Sequence, residues 1–513
     1  MYHTQVCQRS TKRGLNMMTS RALMNSIGIR LIILVLTILL GQGCTVGPDY
    51  SHPGLLVPDK WQAELQRGLN ADELDVAGWW QRYSDPTLIE LVETARSKNL
   101  DVQQAFVRIA EARSALAATM GRYYPDINAS GYYTRFRNSE NITAIEAAGT
   151  SGDQYNIHNL GFDASWEIDV FGDIRRSVEA SRAAYEATIE DFHDVLVILT
   201  ADVAFNYFEL LATRKRINFA EQNIILQKEM RELTKNRFDA EIAPELDVEQ
   251  AELNLANTES ILPTLRILET AALNRLAVLL GKNPGQIDKL LTDRTELPAL
   301  PDDILVGLPV ELIRHRPDIR SAERELARQV AEIGIATSEL YPQFSLDGFF
   351  AFQSLDLSTL DNWGSRTYGF GPAFVWNIFD GNRIRNNIDI QKSQADQALV
   401  GYEQTLLLAL EDVENAMVAY VQERERSDAL QRSVTAARRS VELVSELYRN
   451  GLTDFQNVLD MQRTLFEQQD QLAQSSGQVA INSARIYKAL GGWWDKDVQK
   501  AQDSQAITAD GAD

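Results

Sequence analysis

The side chains able to do chemistry are few and scattered. Cys44 is the one thiol beyond residue 43, so a mature chain beginning there can form no internal disulfide. Histidines stand at His3, His52, His158, His193 and His315, and none has metal-ligand spacing to another His or to Cys. Nucleophile-elbow, Walker and dinucleotide-binding patterns are absent. Acids outnumber bases, 72 against 50, for a net charge of −22. Most of these carboxylates fall on helix faces, where solvation is their ordinary role. A phosphate-binding surface needs clustered Lys and Arg, so nucleic acid is excluded as a partner. The chain reads as no enzyme and as holding no catalytic residue and no metal. What remains are residues in special places: a cysteine behind an apolar run, and Asp247, Tyr448 and Asp460 beside two breaks in long helical segments.

Arg21 and Arg30 precede an apolar run of ten residues, Leu31 to Leu40, too short to span a bilayer but suited to a signal peptide. Residues 1–23 make a long polar lead, and a start at Met24 would give a more usual signal. Gly43-Cys44 then forms a lipoprotein-type cleavage site, at which Cys44 would carry N-terminal diacylglycerol and palmitoyl lipid. Gly41 stands where such sites usually have Leu, which leaves an ordinary signal peptide with an incidental Cys as the alternative. Thr45, where Asp would direct inner-membrane retention, favours sorting to the outer membrane.

The elements that position the remaining residues are long helices. From Asp173 to Ala243 there are 71 residues without Gly or Pro, and Tyr185, Ile189, Phe192, Leu196, Leu199, Val203, Tyr207 and Leu210 form a stripe in steps of three and four. That spacing gives one apolar seam on a helix and calls for partner helices. A helix from Asp173 to Arg237 would be about 98 Å long, more than a compact core needs. The seam residues Ile189, Phe192, Leu196 and Leu199 are expected to pack against several neighbouring helices rather than to form a private two-helix core. Ahead of this rod, Leu160, Phe162, Ala164, Trp166, Ile168 and Val170 alternate with small or polar residues, the period of a strand with one apolar face.

The programme then repeats. An offset of 210 aligns Trp166 with Trp376, Leu196 with Leu406, Asp202-Val203 with Asp412-Val413 and Leu280-Gly281 with Leu490-Gly491. The resulting division is a signal at 1–43, a lipidated arm at 44–85 and a first repeat at 86–282. That repeat comprises a helix, a β-hairpin at about 126–171, a long helix at 173–238 and a return helix at 245–281. A linker at 283–304 leads to a second repeat at 305–491, with a helix, a hairpin at about 343–380, a long helix at 382–450 and a return helix at 455–490, then a tail at 492–513. Strands of this length and pattern suit either a membrane barrel or a soluble sheet packed on helices. Four strands in two separate hairpins close no barrel, and lipid excludes an open sheet edge. The membrane reading therefore requires several copies: two give eight strands, three give twelve around a passage.

Cys44-Thr45-Val46-Gly47-Pro48-Asp49-Tyr50, Tyr341-Pro342, Gly371-Pro372 with Trp376, Phe379-Asp380-Gly381 and Leu459-Asp460-Met461-Gln462-Arg463 closely resemble the outer membrane factor, or TolC-like, family. The nearest branch is the outer-membrane lipoproteins of resistance-nodulation-division efflux systems, and the resemblance covers residues 44–494. It implies a mixed α and membrane-β fold. In that fold a homotrimer forms a twelve-stranded outer-membrane barrel continued by a twelve-helix periplasmic tunnel with an equatorial belt. It further implies a passive duct in the outer membrane, opened at its periplasmic tip by a periplasmic adaptor and an inner-membrane pump. In such channels the tips at 238–247 and 448–457 constrict the tunnel. Asp460 matches an acidic ring, and Asp247 matches a tip Asp that accepts a hydrogen bond from a Tyr matching Tyr448. Two positions depart from the family. Glu241, beside Pro244, stands where Gly is frequent, so this turn adopts positive φ less cheaply than the one at Gly451. Thr453 replaces an Arg of the tip lock, which removes any salt bridge there. Without the resemblance, Asp247 and Asp460 read as solvated carboxylates near helix starts. The same architecture would serve protein secretion, and a periplasmic coiled-coil spacer lipoprotein would explain the rods but not the hairpins.

Overall fold

The computed structural model describes residues 45–54, 57–71, 76–141, 152–292, 294–301 and 303–492; Cys44, the signal and residues 493–513 lie outside them. In chain order the main elements are α1 Pro86–Lys98, α2 Leu100–Met120, β1 Asp126–Arg137, β2 Gln154–Ile168, α3 Asp173–Asp239 and α4 Glu245–Leu279. The second half supplies α5 Pro317–Ser338, β3 Gln343–Ser354, β4 Arg366–Val375, α6 Arg383–Arg449 and α7 Phe455–Ala489. The duplication is visible in the bounds: α3 and α6 have 67 residues each, α4 and α7 have 35 each, and every boundary is displaced by the same 210 positions.

The chain divides into two compact units. The first comprises 113–184, 326–398 and the start of the arm. Its four strands form one antiparallel sheet in the order β1-β2-β3-β4. The hairpins are therefore not separate, as the sequence suggested, because β2 pairs with β3 from Trp166 opposite Leu346 to Leu160 opposite Phe352. Non-local pairing of this kind leaves no local sequence signal. The period of two sorts the faces. Leu160, Phe162 and Trp166 share one face with Leu346 and Phe350 and with Tyr368, Phe370 and Phe374, all exposed, Phe370 at 85%. No helix layer covers this face in the described chain. The other face is polar, with Ser165 and Ser345 hydroxyls each donating to Asp347 at 2.7 Å. It also has room only for Gly at 161, since a Cβ there would lie 2.3 Å from that of Ala351. β1 and β4 end the sheet, each with one unpaired edge among the described residues.

Both passages from helix to strand and back are built alike. The Trp166 indole N–H donates to the Tyr123 carbonyl at 2.9 Å, and the equivalent Trp376 donates to the Leu340 carbonyl at 3.1 Å. Each carbonyl belongs to the residue before a Tyr-Pro pair, where Pro ends helical geometry. Asp169 accepts from the Arg175 amide at 3.0 Å and Asp380 from the Ile384 amide at 2.7 Å, anchoring the first turns of α3 and α6. The arm docks at the first joint. The Val46 amide donates to the Phe171 carbonyl at 3.1 Å, and Arg176 binds the Val46 carbonyl and the Asp49 carboxylate.

The second unit comprises 53–112, 185–325 and the chain from 399 onward. Its core gathers aromatics from three segments: Trp79 stacks on Tyr487 at 5.2 Å, and Tyr83 packs on Phe208 at the same separation. Two buried polar side chains there are paired across the chain. The Tyr207 hydroxyl donates to one Asp85 oxygen at 2.8 Å, and the other oxygen caps α1 through the Thr87 amide at 2.8 Å. Two sequence expectations change. The single helix foreseen at the start of the first repeat is interrupted at Asn99, whose carboxamide oxygen caps α2 through the amides of Asp101 and Val102 and whose NH2 donates to the Leu279 carbonyl. The linker is not featureless, since Ile304–Leu305 pairs in parallel with Leu69–Asn70. The seam residues Leu196 and Leu199 are buried within the chain, and the face of α3 left open carries Ile198, Ile225 and Leu226.

Candidate functional site

The two helical tips lie in the second unit, and both are built by one device. At the end of α3 the Glu241 amide donates to the Phe238 carbonyl at 2.8 Å and the Ile242 amide to the Arg237 carbonyl at 2.8 Å. At the end of α6 the Gly451 amide donates to the Tyr448 carbonyl at 3.0 Å and the Leu452 amide to the Leu447 carbonyl at 2.9 Å. This paired pattern is the Schellman ending, which needs a left-handed residue after the last turn. Gly451 supplies it with φ 73°, as glycine does at little cost. Glu241 supplies it with φ 59°, a conformation that strains a residue bearing a Cβ by about 1–2 kcal/mol. The turn lacking Gly thus adopts positive φ all the same. Pro244 then occupies the position before α4, with φ −73° suited to its ring.

Between the tips lies a small core. Tyr448 is 3% exposed and packs with Met230, Ala251, Phe455, Val458 and Leu459, its ring 5.2 Å from that of Phe455. The sequence-based expectation that its hydroxyl bonds Asp247 is not met: that hydroxyl is buried with no hydrogen-bond partner. Burial pushes the Tyr448 hydroxyl above its ordinary pKa, with the Thr234 hydroxyl acting the other way, although Thr234 itself donates to the Met230 carbonyl at 2.9 Å. Asp247, half-buried in the first turn of α4, is likewise held above the usual carboxylate range, first by burial, then by the charge of Asp454, with Arg237 opposing both.

Arg237 is the residue that sequence reasoning missed. Its guanidinium lies 4.7 Å from the centre of the Tyr448 ring, and its Nη1 donates to the Tyr448 carbonyl at 3.0 Å and to that of Arg449 at 3.4 Å. A cation near the last carbonyls of a helix is favoured by the exposed peptide dipoles. In the sequence Arg237 reads as one more helical surface base. The only available hint is its repeat partner, Leu447, which shows the position is not constrained to be charged.

The other candidates stand apart. Asp460 is exposed on α7, accepting from the Gln456 side chain at 3.0 Å, and no contact joins it to Asp247 or Tyr448 among the described residues. Thr453 accepts from the Asn457 side chain at 2.9 Å. Among the described residues no group of three His, Cys, Asp or Glu side chains converges on a metal position.

A duplicated chain whose hairpins merge into one sheet with an exposed apolar face, and whose 67-residue helices end in paired tips, has the elements of an outer-membrane channel. The family model for outer membrane efflux proteins matches residues 91–282 and 308–492, and the chain belongs to that family. Nodulation protein T of Rhizobium leguminosarum bv. trifolii is 31% identical over 456 residues, covering 88% of this chain and 95% of the relative. Outer membrane protein OprJ of Pseudomonas aeruginosa is 28% identical, covering 92% and 97%. The solved outer-membrane channel OprN superposes with a TM-score of 0.82 at 35% identity, covering 88% of this chain and all of that one. The chain is accordingly an outer-membrane efflux channel protein reaching into the periplasm, and not an enzyme.

Proposed function

We propose that the chain is the passive exit duct of a tripartite efflux system. Three copies close a twelve-stranded barrel and continue it as a twelve-helix tunnel, opened at the tips by a periplasmic adaptor and an inner-membrane resistance-nodulation-division pump. The observation that carries this reading is the sheet itself, apolar and exposed on one face with an unpaired edge at β1 and at β4. In lipid each unpaired peptide group costs several kcal/mol, so β1 of one copy must meet β4 of the next. Three copies are favoured over two because an eight-stranded barrel is filled by its own side chains and leaves no passage.

Lipid on Cys44 fits the same scheme, since the residues just after it are held at the joint between β2 and α3, where a membrane-spanning sheet would meet the periplasm. In a threefold assembly Asp460 would form a ring of carboxylates. At about 6 Å separation each pair repels by about 0.7 kcal/mol in a water-like dielectric, which favours cations. The test is purification of the full chain from outer membranes. A trimer that dissociates only on heating and conducts in planar bilayers supports the duct, whereas a monomer without conductance would overturn it.

A further inference from the structure

We propose that the end of the sheet's apolar face remote from the helices binds a phosphorylated lipid of the outer leaflet, through Arg135, Arg137 and Arg366. The inference rests on the duct reading and adds a lipid to it. The four strands carry three arginines, no lysine and four carboxylates, and the pairing register sorts these charges by face. Residues directly opposite in an antiparallel pair share a face. Arg135 and Arg137 therefore lie on the face of Leu160 and Phe162, and Arg366, opposite Phe352, lies there too. Asp126, Asp163, Glu167 and Asp347 all lie on the other face. In a chain of net charge −22, every arginine of the strands is thus on the apolar surface.

All three also stand at one end of that surface. The strand ends at Asp126, Ile168, Gln343 and Val375 join helices, so Arg137 and Arg366 mark the opposite end, which in the duct faces the cell exterior. At the helical end the same face offers Trp166, Phe344 and Phe374 and no strand cation. Arg366 and Trp376 are ten residues apart, which is about 34 Å of extended chain, or about 26 Å of depth at a strand tilt near 40°. A membrane barrel has an apolar band about 25 Å tall, so the arginines fall at the level of the outer headgroups.

Their present partners leave charge to spare. Arg135 donates to the Gln154 carboxamide oxygen at 2.9 Å, and Arg366 donates to the Trp363 carbonyl at 2.6 Å with its guanidinium 4.7 Å from the Trp363 ring. Only Arg137 meets a carboxylate among the described residues, Glu140 at 2.8 Å, and both side chains are more than half exposed. Such a pair contributes little in water. Trp363, 67% exposed in the loop before β4, supplies an aromatic of the kind that settles at membrane interfaces. Forked cations beside an exposed aromatic and an apolar face suit a lipid whose headgroup carries phosphate. Within one chain β1 and β4 are the two edges of the sheet. Where β1 of one copy meets β4 of the next, all three arginine positions gather at one seam.

The experiment titrates the full-length protein, purified in mild detergent, with fluorescently labelled lipid A bearing two phosphates, one or none. The parent is compared with the double variant Arg135→Gln/Arg137→Gln, the triple variant that adds Arg366→Gln, and Arg439→Gln on exposed α6 surface as a charge control. The parent should bind the diphosphorylated lipid about tenfold or more tightly than the phosphate-free form, and the triple variant should lose that preference. The double variant, which keeps the Arg366 contacts to Trp363, should fall between them; it keeps the proposal testable if the triple variant fails to assemble. Arg439→Gln should match the parent, and inorganic phosphate in molar excess should not displace the lipid. Equal preference in the parent and both variants would overturn the site, as would displacement by inorganic phosphate, which would mark a free-anion site instead. Heat-dependent trimer migration and conductance of the same preparations read the duct separately. A monomeric, non-conducting parent removes the duct, whereas a trimeric, conducting triple variant with unaltered lipid preference removes the lipid site alone.

Discussion

The first tip and the second have the same backbone and divide the labour differently. Both end in a Schellman turn followed by a 35-residue return helix, yet the first turn is strained at Glu241 and supplies Arg237, which reaches the Tyr448 and Arg449 carbonyls, while the second is relaxed at Gly451 and supplies the pocket around Tyr448. The internal repeat gives both tips one backbone, and their side chains differ. The pair teaches that pseudo-symmetry of fold carries no symmetry of energy: Tyr448 is buried at 3% exposure, and its repeat partner Phe238 stands at 39%.

The largest expected effect tests that contrast directly. Tyr448→Ala empties the centre of the tip core and should cost about 3–5 kcal/mol, whereas Phe238→Ala should cost well under half of that. Thermal unfolding or protease sensitivity of the tips checks it, and equal losses would break the comparison. Tyr448→Phe removes only a hydroxyl that has no partner, so it should be close to neutral.

Charge gives the second contrast. Asp460 has Gln250 as its repeat partner. In the proposed trimer Asp460→Ala should weaken divalent-cation block of the single-channel current by roughly threefold or more, on the scale of one carboxylate pair at about 6 Å. Gln250→Ala should leave block unchanged. Identical block in Asp460→Ala and the parent would remove the ring. A smaller difference resides in the turns: Gly451→Glu should cost about 1–2 kcal/mol, and Glu241→Gly should gain no more than about 1 kcal/mol, its strain relief being offset by a more flexible unfolded chain. Melting curves of the two variants moving together would show that positive φ is not the source of the asymmetry.

Much of this architecture was legible because it is local and repeated. A long run free of Gly and Pro gives a rod, alternation from Leu160 to Ile168 gives a strand, and a fixed offset gives the second copy of each. What was hidden depends on partners distant in the chain. The pairing of β2 with β3 has no turn to announce it, and Asn99 reads as an ordinary helical residue until its side chain is seen capping α2. The tip site shows the same limit. Asp247, Tyr448 and Gly451 stood out beside helix breaks, but whether Tyr448 faced a carboxylate or an apolar pocket was set by Met230 and Arg237, more than 200 positions away.

Asp247 supplies the finest test, because the two pictures of the tip assign it opposite signs. If it accepted a hydrogen bond that mattered, its carboxyl would be held low, and tip stability would rise as pH climbed through that value. In this structure burial and the neighbouring Asp454 hold the carboxyl above its ordinary range, against the weaker pull of Arg237. Folding then favours the protonated form. Stability contributed by this group is full below the ordinary carboxylate pKa, falls as pH rises from there through the raised value, and is absent above it. Asp247→Asn, neutral at every pH, should therefore flatten the acid limb and leave the tip slightly more stable than the parent at neutral pH. The measurement is the melting temperature of parent and variant across the acid range. A variant less stable than the parent at neutral pH, with the parent gaining stability as pH rises, would show instead that the Asp247 carboxylate accepts a hydrogen bond that stabilises the tip.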